Sequence, residues 1–204
     1  MMFGNIALEM GKPKERGVSL QEIIDVRFHG RGGQGVVTAS RLLAEAALSE
    51  GKRIQSFPSF GAEREGAPIR AFTRISEKPI TIHSQIYNPD IVVVLDPTLL
   101  RAENVTEGLK DKGWLIVNTS SSPSEVKNAL NANVRTATVD ATKIALEVLG
   151  APRVNAPMLG ALVKATKIVN LDSILQVIGK AFRKEVAEKN VQAVRRAYQE
   201  VVEG

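Results

Sequence analysis

The chain has 204 residues, of which 44% are apolar and 24% are charged, and it carries a net charge of +5 at pH 7. This length and apolar content fit one α/β domain with a substantial buried core and argue against disorder over most of the chain. The lack of cysteine excludes disulfides, thiolate nucleophiles and any iron–sulfur cluster held by this chain.

The basic excess does not indicate nucleic-acid binding, because basic and acidic residues are interleaved, as in the segment 183–189. That pattern is typical of a solvated helix face, whereas the mild excess would suit an anionic small ligand or an acidic partner subunit. The two histidines, His29 and His83, are far apart in sequence, so a histidine metal site is not expected. No apolar run is long enough to cross a membrane and no secretory signal is recognisable, which predicts a cytoplasmic protein.

Residues 1–18 mix Gly, Lys, Glu and Pro without a period, and we interpret them as a loose or partner-bound arm ahead of a domain that spans residues 19–204. Beyond the arm, short β-branched runs alternate with longer helical patterns. This alternation predicts βαβ units and therefore a Rossmann-like, open and mostly parallel sheet, flanked by helices, in a single domain. The run Ile91–Leu95 is apolar on both faces and predicts a central strand.

The predicted strands are Ile23–Phe28, Arg53–Ser56, Ile69–Ile75, Ile91–Leu95, Trp114–Asn118 and Arg135–Val139. The predicted helices are Val36–Ser49, Pro97–Asn104, Ser124–Ala129, Ala141–Leu149 and Met158–Val169, followed by two helical stripes of apolar residues after Ile174. The stretch Arg64–Ile75 is expected to form an antiparallel excursion or flap.

A glycine-rich loop, Gly30-Arg31-Gly32-Gly33-Gln34-Gly35, lies between the first predicted strand and the first predicted helix. In such a turn main-chain N–H groups point to one spot, and the N-terminus of the following helix favours an anion. We therefore predict that the loop binds a phosphate or diphosphate, with Arg31 adding a positive charge and Gln34 a neutral donor. The alternative is a tight turn in which glycine only permits close packing or positive φ. A nicotinamide dinucleotide is disfavoured because the segment Arg53–Phe57, at the end of the second predicted strand, contains no ribose-binding acid.

A second cluster, Ser56 to Pro68, combines glycine and proline with aromatic and charged residues. It is expected to form a shaped loop at the carboxyl end of the second strand, where ligands of open α/β sheets lie, although a surface turn would have the same composition. Arg64 and Arg70 are the residues expected to contact an anion there.

No catalytic constellation is recognisable in the chain. His29 adjoins the glycine loop, where a packed and hydrogen-bonded histidine is the expected role. Asp90 and Asp96 flank one predicted strand and are expected to cap turns rather than to perform acid–base chemistry.

With these motifs in hand, the segment Ile24–Tyr198 resembles the gamma subunit, or gamma domain, of 2-oxoacid:ferredoxin oxidoreductases. Several motifs carry the resemblance in one order: Gly30-Arg31-Gly32-Gly33-Gln34-Gly35, Ser59-Phe60-Gly61-Ala62-Glu63-Arg64-Glu65-Gly66-Ala67-Pro68, Ser84-Gln85-Ile86-Tyr87 with Asp96-Pro97-Thr98, and Asn155-Ala156-Pro157-Met158-Leu159-Gly160-Ala161.

The resemblance implies a subunit of an assembly that converts a 2-oxoacid and coenzyme A to acyl-CoA, carbon dioxide and reduced ferredoxin. It implies alpha, beta and ferredoxin-like delta subunits as partners, which carry the thiamine diphosphate and the iron–sulfur clusters. The gamma module of this family is associated with coenzyme A binding, so the diphosphate of coenzyme A is expected on the N–H groups of Gly32 to Gly35. The isolated chain is expected to be inactive and to self-associate, because a module of a larger complex exposes apolar surface when alone.

Pyruvate is the leading substrate, because Gly66-Ala67-Pro68 looks like the form in pyruvate and branched-chain enzymes. Gamma-type subunits of 2-oxoisovalerate or indolepyruvate oxidoreductases remain alternatives. From a different class, a free-standing Rossmann-type nucleotide-binding oxidoreductase is the second hypothesis, and a nucleic-acid-binding protein is the third.

Overall fold

The alternation of apolar strand segments and amphipathic helices builds one mixed sheet in the computed structural model, which describes residues 23–59 and 66–204. The strands are β1 Ile23–Arg31, β2 Arg53–Ser59, β3 Pro68–Ser76, β4 Ile91–Val94, β5 Trp114–Asn118, β6 Arg135–Val139 and β7 Val202–Glu203. The helices are α1 Val36–Ser49, α2 Leu99–Ala102, α3 Pro123–Leu130, α4 Ala141–Leu149, α5 Asn155–Thr166, α6 Leu171–Ala181 and α7 Lys184–Glu200.

The order of the strands in the sheet is β2-β3-β1-β4-β5-β6-β7. The central strands β1, β4, β5 and β6 pair in parallel, while β3 pairs antiparallel with both β1 and β2, and β7 pairs antiparallel with β6. The predicted α/β class is therefore confirmed, with one refinement. Five of the seven described strands run in the same direction, but only three of the six neighbouring pairs are parallel.

The sheet divides the apolar interior into two layers. The larger layer packs α1 and α4 to α7 against one face, and it includes Phe28 of β1 and Val93 of β4. The smaller layer packs α2 and α3 against the other face through Val92, Val94 and Leu99. Burial on both faces explains why β4 is apolar throughout, as the sequence predicted.

The predicted arm, residues 1–18, lies outside the described residues. Within residues 23–59 and 66–204, no helix combines the length and the apolar character needed to cross a membrane.

Candidate ligand-binding site

The glycine-rich loop lies where the direction of chain connection across the sheet reverses. From β1 the chain crosses through α1 on one face, and from β4 it continues through α2 on the other face. The carboxyl ends of β1 and β4 are neighbours in the sheet, so a crevice opens between them. Ligands of open α/β sheets bind at such a switch point. The fold therefore places the predicted loop at the position that this class of sheet uses for ligands.

At two positions of the loop, Gly30 and Gly35, the structure shows why glycine is needed. A Cβ atom on Gly30 would lie 2.5 Å from Cγ2 of Val36, so this glycine lets the strand approach the start of α1. Gly35 precedes α1 with φ of 78°, a left-handed conformation that favours glycine, and a Cβ there would lie 3.0 Å from the carboxamide of Asn155. The loop is thus a tight turn, which was the alternative to a phosphate-binding loop in the sequence analysis. Its position at the switch point is also compatible with a ligand.

The main-chain donors of the loop are partly used within the protein. The N–H of Gly32 donates to the carbonyl oxygen of Ala67 at 3.1 Å, and the N–H of Gln34 donates to that of Arg31 at 3.1 Å. Among residues 23–59 and 66–204, no group accepts from the N–H of Gly33 or Gly35. The donors available to an anion are therefore these two glycines and the first turn of α1.

Arg31 is held by neighbouring protein groups. Its Nε donates to Oδ2 of Asp96 at 3.1 Å, and its two terminal nitrogens donate to the carbonyl oxygen of Gly66 at 3.0 Å and to Oγ1 of Thr98 at 2.9 Å. Its side chain is nevertheless 32% exposed. Arg31 consequently ties the loop to the segment that follows β4 and to Gly66, and its charge is paired with Asp96.

Asp96 is the centre of this network. Its Oδ2 also accepts from Nε2 of Gln34 at 2.8 Å, and its Oδ1 accepts from the N–H and the hydroxyl of Thr98 at 2.9 and 2.6 Å. Burial alone would raise the pKa of Asp96, but the hydrogen bonds from Thr98 and Gln34 and the charge of Arg31 lower it. The carboxylate therefore neutralises Arg31, and its predicted turn-capping role is confirmed. A pocket of about 570 Å³ continues from Thr98 towards Thr119 and Ser121.

Arg64 and Arg70 were also predicted to contact an anion. Arg64 lies in the segment 60–65, outside the described residues. Arg70 is half-exposed, and its Nη2 donates to Oε2 of Glu103 at 3.2 Å, so it is paired on the same sheet face as Arg31.

Asn155 was not predicted as a residue of the candidate site. Its half-buried carboxamide adjoins Gly35 and makes no hydrogen bond with the described part of the chain.

His29 is fully buried beside the loop and belongs to a second network. Its Nε2 accepts from Nε of Arg27 at 2.9 Å, which leaves the proton on Nδ1, and Nδ1 donates to Oε2 of Glu103 at 3.2 Å. Burial, then the charges of Arg27 and Arg70, lower the pKa of His29 to about 4 against the opposing effect of Glu103. The expectation of a packed, hydrogen-bonded histidine is confirmed.

We predict that this network makes the stability of the chain depend on pH. Because the folded pKa of about 4 lies below the unfolded value of roughly 6.5, the unfolded chain binds more protons between these values. The free energy of unfolding should then fall as the pH is lowered through this window, by on the order of 3 kcal/mol at most.

Urea unfolding of the wild type and of His29→Gln at several pH values between about 5 and 7 measures this dependence. The variant should be less stable at neutral pH and should show a flatter profile. Parallel profiles for the two proteins would contradict the assignment to His29.

No group of three or more histidine, aspartate or glutamate side chains is arranged to hold a metal ion in residues 23–59 and 66–204. Around the glycine-rich loop lie backbone N–H groups, side-chain amides and hydroxyls, and groups of these kinds can donate hydrogen bonds to phosphate oxygens.

An open α/β sheet with a glycine-rich loop at its switch point defines a domain suited to phosphate-bearing ligands. The family model for pyruvate ferredoxin/flavodoxin oxidoreductase matches residues 25–200. The chain belongs to this family.

Related proteins agree with that membership. The chain is 57% identical over 178 residues to the common subunit gamma of the pyruvate/ketoisovalerate oxidoreductases of Pyrococcus furiosus, covering 87% of this chain and 96% of the relative. It is 50% identical over 180 residues to the pyruvate synthase subunit PorC of Methanocaldococcus jannaschii, covering 88% of this chain and 98% of the relative. The crystal structure of pyruvate oxidoreductase subunit PORC from Thermotoga maritima matches with a TM-score of 0.80 at 46% identity, covering 89% of this chain and 98% of that one. The predicted gamma-type subunit of a 2-oxoacid:ferredoxin oxidoreductase is confirmed.

Proposed function

We propose that the chain is the gamma subunit of a multi-subunit pyruvate:ferredoxin oxidoreductase and supplies part of its coenzyme A site. The observation that carries this proposal is the 57% identity, over nearly the whole relative, to a gamma subunit named for pyruvate and ketoisovalerate oxidoreductases. The same name supports a second candidate function. The chain would then serve both a pyruvate enzyme and a 2-oxoisovalerate enzyme as a common subunit.

The proposal assigns the redox chemistry to partner chains. Alpha, beta and ferredoxin-like delta subunits would carry the thiamine diphosphate and the iron–sulfur clusters, and this chain has no cysteine with which to ligate a cluster. The cytoplasmic location stays a prediction.

Coenzyme A is proposed to place its diphosphate against the glycine-rich loop. The N–H groups of Gly33 and Gly35, which have no acceptor among residues 23–59 and 66–204, support this placement together with the N-terminus of α1. The carboxamide of Asn155 adjoins Gly35 and could donate a further hydrogen bond to a ligand there. Because Asp96 neutralises Arg31, the attraction of the site comes mainly from main-chain dipoles, with Arg31 and Gln34 shaping the loop.

The test compares two glycines that have nearly the same backbone conformation. Gly33 and Gly51 have φ of 89° and 84°, and a Cβ atom at either position would meet nothing within 4 Å. Valine therefore introduces similar backbone strain at both positions, but only Val at position 33 would block the approach of a phosphate to the loop. In the complex with the partner subunits of the same organism, Gly33→Val should raise the KM for coenzyme A about tenfold or more, equivalent to roughly 1.4 kcal/mol.

Gly51→Val should leave that KM unchanged. Size-exclusion chromatography of both complexes establishes that the variants assemble. If Gly33→Val assembles and keeps the wild-type KM for coenzyme A, the loop is a structural turn and coenzyme A binds elsewhere in the enzyme.

A further inference from the structure

A cationic pocket lies at the opposite end of the sheet from the glycine-rich loop. Trp114 and Arg135 are the first residues of β5 and β6 and are direct neighbours in the sheet. Between them and the last turn of α5 opens a pocket of about 420 Å³, which Lys164, Lys167 and Glu203 also line. The amino ends of the parallel strands face away from the coenzyme A site proposed above, so this pocket needs a separate explanation.

The pocket contains three cationic side chains, Arg135, Lys164 and Lys167. Within residues 23–59 and 66–204, no acidic group lies within ion-pair distance of Arg135, Lys164 or Lys167, although all three side chains are exposed. Arg196 offers a contrast, because it pairs with both Glu147 and Glu200. The pocket therefore concentrates three positive charges that no carboxylate of the described residues pairs with, and its lining also contains one acidic residue, Glu203.

Aromatic rings hold two of these cations in place. The guanidinium carbon of Arg135 lies 4.2 Å from the ring centroid of Trp114, and Nζ of Lys164 lies 5.1 Å from that of Tyr198. A ring orders a cation without cancelling its charge. A guanidinium stacked in this way also keeps its N–H groups free at the edges for a planar carboxylate.

The groups around the pocket favour binding of separate carboxylates on a protein surface over binding of a compact phosphate. The last turn of α5 lines the pocket, and a helix C-terminus presents carbonyl oxygens that repel a concentrated negative charge. Glu203 in the lining adds to that repulsion. Long lysine side chains at the mouth can instead reach separate carboxylates on a facing chain. The net charge of +5 would also attract such a partner.

We propose that Arg135, Lys164 and Lys167 form a docking surface for an acidic patch of another subunit of the same enzyme. This inference rests on the proposed function, because it requires that the chain assembles into a complex. Docking there would leave the glycine-rich loop, at the other end of the sheet, open to coenzyme A.

The experiment measures assembly of the purified chain with the remaining subunits of the enzyme from the same organism. The triple variant Arg135→Glu, Lys164→Glu, Lys167→Glu is compared with a control triple, Lys143→Glu, Lys180→Glu, Lys184→Glu, which reverses three exposed lysines outside the pocket. At about 0.1 M salt the pocket variant should bind the other subunits about tenfold or more weakly than both the wild type and the control. In about 1 M salt, where the Debye length falls to roughly 3 Å, this difference should shrink.

Equal affinity of the pocket variant, the control and the wild type at low salt would overturn the docking surface and leave the proposed function intact. Failure of the wild type itself to assemble would overturn the proposed function and the docking surface together. Titration with inorganic diphosphate supplies a third arm. Binding of diphosphate to the wild-type chain that the pocket variant loses would reassign the pocket to a small anion.

Discussion

Replacement of Gly160 by alanine should lower the free energy of unfolding by about 3 kcal/mol, because α5 and α7 touch through their backbones at this residue. A Cβ atom on Gly160 would fall on the carbonyl oxygen of Val194 and would lie 3.2 Å from the N–H nitrogen of Tyr198. These are backbone atoms, which cannot rotate away as a side chain could. The two helices would have to separate, and the buried side chains that pack between them, such as Val194, would lose close packing.

The matched control is Gly179→Ala in α6, where a Cβ atom would meet nothing within 4 Å. Alanine is the better helix former, so this variant should gain about 0.5–1 kcal/mol. Urea denaturation of the three proteins gives both values, and the two substitutions should move the midpoint in opposite directions. A Gly160→Ala protein as stable as the wild type would show that the helices do not approach as closely as the structure indicates.

Local sequence signals were sufficient to locate most elements. Helix α4 was predicted with its observed bounds, since Asp140 caps its first turn by accepting from the N–H of Lys143 and Gly150 ends it in a left-handed conformation. Helix α5 was predicted to begin at Met158 but begins at Asn155. The predicted start leaves Pro157 outside the helix, whereas the observed helix contains it in its first turn. Proline is tolerated there because the N–H that it lacks would have no intrahelical acceptor.

The order of the strands was harder to predict, because it depends on pairings between distant segments. An antiparallel excursion was expected in the stretch Arg64–Ile75, which contains most of β3. The position of β3 in the sheet, between β1 and β2, was not predicted. The two-residue strand β7 carries too short a pattern to be recognised, and it forms only because the end of the chain returns to the edge of β6. Local propensity does not specify such long-range pairing.

The candidate site shows the same limit at the level of single side chains. The pattern identified the glycine-rich loop and singled out Arg31 as an anion contact. It could not reveal that Asp96, 65 residues further along the chain, neutralises that charge. Asn155 likewise reaches Gly35 only through the packing of α5 against the sheet. Motifs therefore identified the glycine-rich loop as a candidate site, whereas the pairing of its charged side chains required the folded structure.

The other large effect is expected at Arg27, whose guanidinium is buried with only 4% of the residue exposed. Besides its bond to His29, its Nη2 donates to the carbonyl oxygens of Val105 and Glu107 at 3.0 and 2.7 Å. Arg27→Met keeps much of the side-chain volume but leaves three acceptors without their donor, and it leaves Glu103 with one cation fewer nearby. The free energy of unfolding should fall by about 3–5 kcal/mol.

Arg41→Met serves as the control, because Arg41 is exposed and forms a surface ion pair with Glu45 at 3.6 Å. That change should stay within about 0.5 kcal/mol of the wild type. A second measurement separates the charge of Arg27 from its packing. Burial and then Arg27 lower the pKa of His29, so the histidine of folded Arg27→Met, followed by NMR, should titrate above the wild-type value of about 4. Wild-type stability together with an unchanged titration of His29 would show that Arg27 does not hold this network together.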